Sequence, residues 1–491
     1  MSLNNFVKTL QNIMRGDSGI NGDAQRIEQM TWMLFLKVYD SKEQEWEFHD
    51  ENFLSIIPEH LRWRNWAVDR KDGKAMTGAE LLDFVNNQLF PGLKSLRVDE
   101  FTPIRQSIVW AVFEDSNQYM KDGVLLRKVL NEIEAIEFDD YKERHAFGDI
   151  YETILKSLQS AGNAGEFYTP RAVTDFMVKM IDPHLGEQVA DFACGTCGFL
   201  TSTLKVLEPQ ISSIEDRQVY IKSIFGVEKK PLPYLLGITN LILHDIDNPR
   251  LIHGNSLERN VREFKEEEKF DIILMNPPYG GTEQESVKIN FPVDMRSSET
   301  ADLFIALSLF RLKKGGRAAI IIPDGFLFGA DNPKVTLKKK LLEEFNLHTI
   351  VRMPSSVFSP YTSITTNILF FENNGPTEKV WLYRVDMPAG YKHFSKTRPM
   401  KLEHFDECVA WWQDRQEIKD TETDTYKARA FTAQELVDRG FDLDVCGYPT
   451  AEEEVLSPEE TIRVFHEKRD ALNAKIDQRL AEIDLLLGLK R

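Results

Sequence analysis

Cysteine is scarce in this sequence, and long apolar runs are missing from it. Four cysteines among 491 residues are too few for a disulfide framework in a chain of this length. No apolar stretch approaches the ~20 residues of a membrane-spanning helix, and the opening segment MSLNNFVKTLQNIMRG lacks the apolar core of a signal peptide. These absences predict a cytoplasmic protein in a reducing compartment, with no membrane partner.

Positive charge is also in deficit, because 60 lysines and arginines stand against 78 acidic residues and leave a formal net charge of −18. A protein that binds nucleic acid alone neutralises phosphates with clustered cations, which usually supply most of its non-specific affinity. A nucleic-acid enzyme of this composition is therefore expected to have a local basic groove or a partner that provides one. The length allows two or three domains.

Residues 1–145 predict a helical domain. Between Asp23 and Glu47 apolar residues recur at helical spacing, and aromatic residues widen the stripe beyond that of a lone surface helix. This helix is expected to pack within a bundle. The segment from Leu61 to Trp66 alternates aromatic and basic residues, which fits a nucleic-acid contact or a packing patch; packing is preferred.

Short apolar segments alternate with helical segments in residues 146–450. Six of them are typical of buried strands: QVADFAC, SIFGVE, RLIHGN, FDIILMN, GRAAIIIP and HTIVRMP. This alternation predicts a doubly wound, Rossmann-like α/β sheet. Ligands of such sheets bind beyond the carboxyl ends of the strands, so polar residues at those ends are expected to cluster.

The first strand end, VADFACGTCGFL, combines Asp191 with Gly195 and Gly198. Glycines let backbone amides approach a ligand, and a carboxylate binds its charged or hydroxylic part. Cys194 and Cys197 form a CxxC pair, for which a redox or metal site is the alternative. Two small side chains in a tight loop are preferred, since no second Cys or His pair lies nearby.

Two further strand ends carry candidate nucleoside ligands. Glu228 stands where doubly wound folds hold an acceptor for ribose hydroxyls; a solvated residue beside Lys229 and Lys230 is the alternative. Asn255 follows the third strand, and its amide can both donate to and accept from an adenine edge. A simple turn explains Asn255 nearly as well.

The fourth strand end, DIILMNPPYGG, predicts a site for a planar amino group. Such an amine is a poor nucleophile because its lone pair is delocalised into the ring. The side-chain oxygen of Asn276 and the carbonyl of Pro277 are expected to accept its two N–H bonds and favour a pyramidal nitrogen. Proline has no competing N–H, Pro278 stiffens the turn, and Tyr279 can stack on the base. The stiff turn preorganises the acceptors.

Together these motifs resemble those of S-adenosylmethionine-dependent amino methyltransferases of the adenine-N6 class. AGEFYTPR at 164–171 is similar to the segment that covers the methionine end of the cofactor in that family. VFSPYTSITTNILFF at 357–371 resembles a late strand pair of the modification (methyltransferase) subunit of type I restriction-modification systems. The resemblance covers nearly the whole chain, and the combination of motifs is highly specific.

The resemblance implies a target-adenine site at Asn276, Pro277 and Tyr279, shaped by Pro278, with Phe358 as its other wall. It also implies that S-adenosyl-L-methionine is contacted by Glu166, Phe167, Tyr168, Thr169, Pro170, Arg171, Asp191, Thr196, Cys197, Gly198, Glu228 and Asn255.

Two positions depart from the family pattern. Cys197 stands where many members have glycine, which argues against a positive φ there and predicts crowding of the cofactor. Asn255 stands where aspartate is common, which weakens its assignment to the adenine ring.

The resemblance further implies direct methyl transfer to an adenine flipped out of double-stranded DNA, without a metal or a covalent enzyme intermediate, and protection of host DNA from restriction. The last 120 residues hold no basic, aromatic stripe that reads bases. A separate specificity subunit, clamped by two copies of this chain, is therefore expected to read the DNA. A restriction or translocase subunit is an optional further partner.

Residues 451–491 predict a helical tail for subunit assembly. Ser457 is a good N-cap, Pro458 fits the first helical position, and Glu460 completes a capping box. An apolar seam needs a partner surface, which either the specificity subunit or the body of this chain can provide. The seam has near-heptad spacing and consists of Phe465, Leu472, Ile476, Leu480, Ile483 and Leu487.

Two other functions remain open. Asn-Pro-Pro-Tyr also serves methyltransferases that modify glutamine side chains of proteins, whose acceptor is again a planar amide nitrogen. Those enzymes look smaller and lack the helical flanks and the EFYTP segment. The second alternative is a catalytically silent scaffold that binds the cofactor only as a structural signal.

Overall fold

The computed structural model describes residues 3–69, 74–136, 151–156, 168–419, 425–448 and 458–486. The chain divides into two compact units, Met1–Gly447 and Tyr448–Arg491. Across the described residues, we find no helix with both the length and the apolar character required to cross a bilayer.

Within the described part of the first unit, ten strands form one sheet. In chain order they are β1 Val189–Asp191, β2 Ile224–Glu228, β3 Leu251–His253, β4 Phe270–Met275, β5 Leu312–Pro323, β6 Asn346–Arg352, β7 Thr366–Glu372, β8 Lys379–Arg384, β9 Ile418–Lys419 and β10 Tyr426–Thr432.

The strand order is β3-β2-β1-β4-β5-β7-β6-β8-β10-β9. The first five strands pair in parallel, and β7 lies antiparallel between β5 and β6. The chain builds outward from β1 in one direction through β2 and β3, and then in the other through β4 and β5. The boundary between β1 and β4 is therefore a topological switch point, where open α/β sheets bind their ligands.

Helices precede the sheet and cover its faces, and residues 151–156 are helical as well. The named helices of the first unit are α1 Leu3–Arg15, α2 Gly22–His49, α3 Trp63–Trp66, α4 Gly78–Phe84, α5 Phe90–Lys94, α6 Ile104–Glu114, α7 Gly123–Glu134, α8 Arg171–Ile181, α9 Gly198–Leu207, α10 Ile214–Ile221, α11 Pro231–Leu243, α12 Glu285–Lys288, α13 Thr300–Arg311, α14 Gly325–Phe328, α15 Asn332–Glu343, α16 Asp406–Gln413 and α17 Ala433–Asp438.

Strand β4 is apolar at successive positions because both of its faces are buried. Side chains alternate between the two faces of a strand. Ile273 and Met275 pack in one core with residues of α13 and α15, whereas Ile272 and Leu274 pack in another with residues of α8. Both faces are buried, as in a doubly wound sheet, and the predicted α/β fold is confirmed.

The long helix α2 joins the amino-terminal helices to the sheet domain. Its aromatic residues other than Phe48, which is exposed, are buried in a core shared with α11, as the broad apolar stripe predicted. At the same contact the ammonium group of Lys42 lies 2.7 Å from a carboxylate oxygen of Asp245 and 3.3 Å from one of Asp247. The Trp46 indole N–H also donates to Asp247, at 3.2 Å.

The aromatic and basic stretch at residues 61–66 is a packing patch, as preferred from the sequence. Trp63 and Trp66 are buried with Leu61. Arg64 pairs with Asp40 at 2.8 Å, so this cation is used within the fold.

One predicted element is wrong. The segment at 357–371 contributes a single strand, β7, rather than a strand pair, because residues before Thr366 form turns and loop. Pro360 stands in that region and has no N–H to give to a sheet ladder.

The second unit contains the helix α18, Pro458–Leu486, which the sequence predicted. Four apolar residues of the seam, Phe465, Leu472, Ile476 and Leu480, are 44–63% exposed. Ser457 and Leu487 lie outside the described residues, as does the side chain of Ile483.

Candidate functional site

The carboxyl ends of β1, β2, β3 and β4 meet around one cleft at the switch point. The cleft has about 820 Å³ of free space including its open mouth. The predicted residues that line it are Thr169, Asp191, Thr196, Gly198, Glu228, Asn255, Asn276 and Pro278.

Glu228 is buried in the wall of this cleft, so the alternative of a solvated surface residue is wrong. Its two carboxylate oxygens accept backbone N–H groups, one from Gly195 at 2.9 Å and one from Lys230 at 2.7 Å. These bonds fix the carboxylate beside the glycine turn.

Asp191 lies at the end of β1, almost completely buried. One of its oxygens accepts the N–H of Ala193 at 3.1 Å. Burial raises the pKa of Asp191 well above its usual value, and the charge of Glu228 raises it further. Two acidic groups in one desolvated wall favour a ligand that brings hydrogen-bond donors or positive charge.

Asn255 forms the turn considered from the sequence, and its adenine-binding role stays a prediction. Its side-chain oxygen accepts the N–H of Leu257 at 3.1 Å, which is the local bond of a turn. The same residue lines the cleft. The next residue, Ser256, donates to the carbonyl of Phe192 at 2.6 Å and joins the ends of β3 and β1.

Cys197 corrects two expectations. Its φ is +63°, so the turn does use the left-handed conformation that the missing glycine argued against. The side chain is fully buried and is not among the described residues that line the cleft. It points instead at Gly237 of α11, where an added Cβ would lie 2.7 Å from the Cys197 sulfur. A glycine on the neighbouring helix therefore makes room for the sulfur, which does not crowd the cleft.

Cys194, the other half of the CxxC pair, is also buried and lines the cleft. Burial raises the pKa of its thiol well above the usual value. A thiol of this kind is a weak nucleophile and a poor metal ligand at neutral pH. The packing interpretation of the pair therefore fits the structure better than the redox interpretation.

Asn276 is held by a neighbour from a distant part of the chain. Its side-chain N–H₂ donates to the hydroxyl of Thr169 at 3.0 Å. The oxygen of the same amide therefore faces away from Thr169. The hydroxyl of Tyr279 donates to that oxygen. The Tyr279 ring meets Phe358 edge to face, with ring centres 6.2 Å apart, and Pro277 is buried beneath the turn.

The segment before α8 divides between two places. Thr169 reaches the cleft, whereas Tyr168, Pro170 and Arg171 line an adjacent groove. The Tyr168 hydroxyl and the Arg171 guanidinium both bind Glu152, at 2.8 and 2.9 Å. Glu166 and Phe167 lie outside the described residues.

Gly198 has a steric reason to be glycine. An added Cβ at Gly198 would lie 2.6 Å from a terminal nitrogen of Arg171. A side chain at this position would therefore require a shift of the Arg171 guanidinium, which binds Glu152.

Sequence reasoning missed several residues of the cleft. Glu283 lies at the mouth, where its carboxylate is 3.2 Å from the ammonium group of Lys229. Thr300 and Phe304 of α13 complete one side. They follow the NPPY turn without a motif of their own, and only the packing of α13 brings them to the cleft.

Two family models match this chain. The N-6 DNA Methylase model matches residues 142–455, and the HsdM N-terminal domain model matches residues 3–133. The methylase subunit of the type I restriction enzyme EcoEI from Escherichia coli is 46% identical over 447 residues, which are 91% of this chain and 90% of that protein.

Solved structures agree with these matches. A modification subunit assigned to a type I restriction enzyme of Vibrio vulnificus YJ016 has a TM-score of 0.77 and 40% identity, over 93% of this chain and 98% of that chain. A chain from a study of complex assembly in the type I R-M system has a TM-score of 0.80 and 34% identity, over 100% and 99% of the two chains. The chain therefore belongs to the N-6 DNA methylase family, as a methylase subunit of a type I restriction-modification system.

Proposed function

We propose that this chain transfers a methyl group from S-adenosyl-L-methionine to the N6 amine of an adenine flipped out of duplex DNA, and so protects host DNA from restriction. One observation carries the proposal. Asn276 lines the cleft at the switch point and, on the same side chain, has an oxygen that contacts Tyr279. The proposed cofactor cleft and the proposed stacking ring of Tyr279 therefore meet at the side-chain amide of Asn276.

The residues of the cleft fit the cofactor. The Glu228 carboxylate suits a ribose diol, and the acidic wall formed with Asp191 suits a ligand that carries a sulfonium charge. Thr196, Gly198, Asn255 and the segment 166–171 are proposed as further contacts. When bound, S-adenosyl-L-methionine supplies an activated methyl group.

The remaining steps belong to the protein. The Asn276 oxygen and the Pro277 carbonyl accept the two N–H bonds of the adenine amine, and the ring of Tyr279 stacks on the base. Flipping removes the base from its stack at a cost of a few kcal/mol. Because the acceptors are fixed before the base arrives, little reorganisation is needed during transfer. The amine loses a proton after the methyl group has moved.

The first experiment is a labelling assay. The chain is prepared alone and with its specificity subunit, and each preparation receives radiolabelled cofactor and genomic DNA from a host that lacks the system. We expect N6-methyladenine only with the specificity subunit. The Asn276→Ala variant should assemble normally and lose the label. Label in protein instead of DNA would favour the glutamine alternative, and an unlabelled wild-type complex would favour the scaffold.

For assembly, we propose three parts, 1–145, 146–450 and 451–491, with the last docking its apolar seam on the specificity subunit and two copies of this chain per complex. The same proposal includes a restriction subunit as a further partner and a cytoplasmic location for the complex. The seam residues that the structure describes are exposed and apolar, as a docking face requires.

The double variant Ile476→Asp with Leu480→Asp tests the docking of α18. Two carboxylates in an apolar interface should prevent formation of the complex with the specificity subunit. The matched control is Asn473→Asp with Gln478→Asp, which places two carboxylates at exposed polar positions of the same helix. Size-exclusion chromatography of both complexes decides, and an intact complex with the seam variant would disprove the docking.

A further inference from the structure

We propose that the segment Tyr391–Lys401, here named the basic loop, binds the DNA backbone next to the flipped adenine. The inference rests on the proposed function and names the surface that this acidic subunit uses to hold its substrate. Four observations support it: the charge of the loop, its rigidity, its link to the base pocket, and the groove that it borders.

The charge of the loop is opposite to that of the whole chain. Residues 391–401 contain Lys392, Lys396, Arg398 and Lys401 and no acidic residue, within a chain whose net charge is −18. All four cations are exposed. Clustered exposed cations are the electrostatic feature that binds phosphates.

The loop is anchored, so its cations are displayed from a fixed backbone. Phe394 and Met400 are buried in the core that also contains Phe358. Between them, Ser395 and Arg398 exchange two backbone hydrogen bonds of 3.0 Å each. A fixed backbone loses less conformational entropy when the loop binds a ligand than a mobile tail does.

A hydrogen bond joins the basic loop to the wall of the base pocket. The backbone N–H of Phe394 donates to the hydroxyl of Ser356 at 2.9 Å. Two residues later in the chain, Phe358 packs edge to face on Tyr279. The loop is therefore positioned by the same short segment that supports the proposed stacking ring.

The groove beside the loop is also lined by residues that are next to the base pocket in the chain. Lys396 and Lys401 line it, as do Tyr168 and Pro170. Between the latter two, Thr169 accepts the hydrogen bond from Asn276. The residue that binds Asn276 is therefore flanked on both sides in the chain by residues of the groove. A flipped nucleotide remains covalently bound to its flanking phosphates, which must lie near the pocket.

Acidic residues also lie near the basic loop. Lys401 lies 3.2 Å from Glu403, and Asp175 lines the groove. Part of the charge of Lys401 is therefore neutralised within the protein. The test uses Lys396 and Arg398 because both belong to the turn that is closed by the backbone hydrogen bonds between Ser395 and Arg398.

The experiment measures DNA affinity against salt concentration for the complex with the specificity subunit. The variant is Lys396→Gln with Arg398→Gln. Each lost phosphate contact lowers the slope of log affinity against log salt by about 1, so we expect a decrease of about 2. The KM for DNA should rise about tenfold or more in methylation assays, with kcat within about twofold of wild type.

The matched control is Lys222→Gln with Lys314→Gln. These two exposed lysines lie at the amino-terminal ends of β2 and β5, whereas the cleft lies at the carboxyl ends of the parallel strands. The control removes two positive charges, as the basic-loop variant does. Its salt slope should equal that of the wild type. An unchanged slope in the basic-loop variant, or an equal decrease in the control, would disprove the proposal.

The binding readout separates this inference from the proposed function. If the wild-type complex binds DNA but transfers no methyl group, the proposed chemistry fails, and the salt slopes still decide the role of the basic loop. Cofactor affinity, measured by calorimetry, should be the same in all three proteins and shows that the cleft is intact.

Discussion

The hydroxyl of Tyr279 donates a hydrogen bond to the side-chain oxygen of Asn276, the atom proposed to accept the adenine amine. Thr169 binds the other end of the same amide, so the acceptor cannot simply rotate towards a new donor without losing that bond. In the proposed complex, the tyrosine hydroxyl therefore competes with the substrate N–H for this oxygen. We expect Tyr279 to give up the bond when its ring stacks on the base.

This relationship predicts different outcomes for two substitutions of Tyr279. Tyr279→Phe keeps the ring and removes the competing hydroxyl, so we expect single-turnover methylation to stay within about fivefold of wild type or to rise. Tyr279→Ala removes stacking worth about 1–3 kcal/mol per base and should slow methylation by about 10- to 100-fold. If phenylalanine were as damaging as alanine, the hydroxyl itself would be required.

The two glutamates of the cleft provide a matched pair for cofactor binding. Glu228 is buried and bound to the glycine turn, whereas Glu283 pairs with Lys229 at the mouth. A hydrogen bond to a charged group is worth about 1.5–3 kcal/mol, so Glu228→Gln should weaken cofactor affinity by about 10- to 100-fold. Glu283→Gln should change it by less than about threefold.

Isothermal titration calorimetry of both glutamate variants checks this prediction, with melting temperatures as the control for folding. Equal losses of affinity in both variants would mean that Glu228 has no special role in binding the ribose.

The contact between Gly237 and Cys197 predicts a compensating pair of substitutions. A methyl group at Gly237 would lie 2.7 Å from the Cys197 sulfur, and such overpacking costs typically about 1–3 kcal/mol. Gly237→Ala should therefore lower the free energy of unfolding by that amount. Adding Cys197→Gly removes the sulfur and should recover most of the loss.

Urea denaturation of the two single variants and the double variant measures this coupling as a double-mutant cycle. A coupling energy near zero would mean that the two positions do not contact each other in solution.

Glu43 predicts a pH dependence of stability in the amino-terminal helices. Burial raises the pKa of Glu43 from its ordinary value to about 7 in the folded protein, although Ser55 and Arg62 act in the opposite direction. Folded protein therefore retains a proton that the unfolded chain has already lost. The stabilising contribution is fully present below about pH 4.5 and is lost as the pH rises through 7.

The substitution Glu43→Gln removes this titration. Relative to wild type, the variant should gain about 2–3 kcal/mol of unfolding free energy between pH 5 and pH 8. Denaturation of both proteins at the two pH values checks the sign. A wild-type protein that becomes more stable relative to the variant at pH 8 would contradict the raised pKa.

The sheet and its strand ends were predictable because two local signals agree there. Apolar runs of strand length stop at Asp191, Glu228, Asn255 and Asn276, and glycine or proline follows or adjoins most of them. Topology then brings the carboxyl ends of parallel strands to one edge. Candidate site residues at strand ends can therefore be predicted from local sequence signals, without knowledge of long-range contacts.

The parts that could not be predicted depend on contacts between distant segments. Cys197 has a positive φ, and its side chain fits because Gly237 leaves room for the sulfur. Gly237 lies forty positions later, on another helix. Thr300 and Phe304 reach the cleft through the packing of α13. The family resemblance suggested a strand pair at 357–371, but residues 357–365 form turns and loop, where Pro360 has no N–H to give to a sheet ladder.

The ion pair between Lys42 and Asp245 has a consequence for synthesis on the ribosome. The two residues are 203 positions apart, and translation proceeds at about 5–20 residues per second. Helix α2 therefore waits about 10–40 s for its carboxylate partners and for the apolar face of α11. During that interval its aromatic side chains have no sheet domain to cover them, and the nascent subunit is an expected client of chaperones.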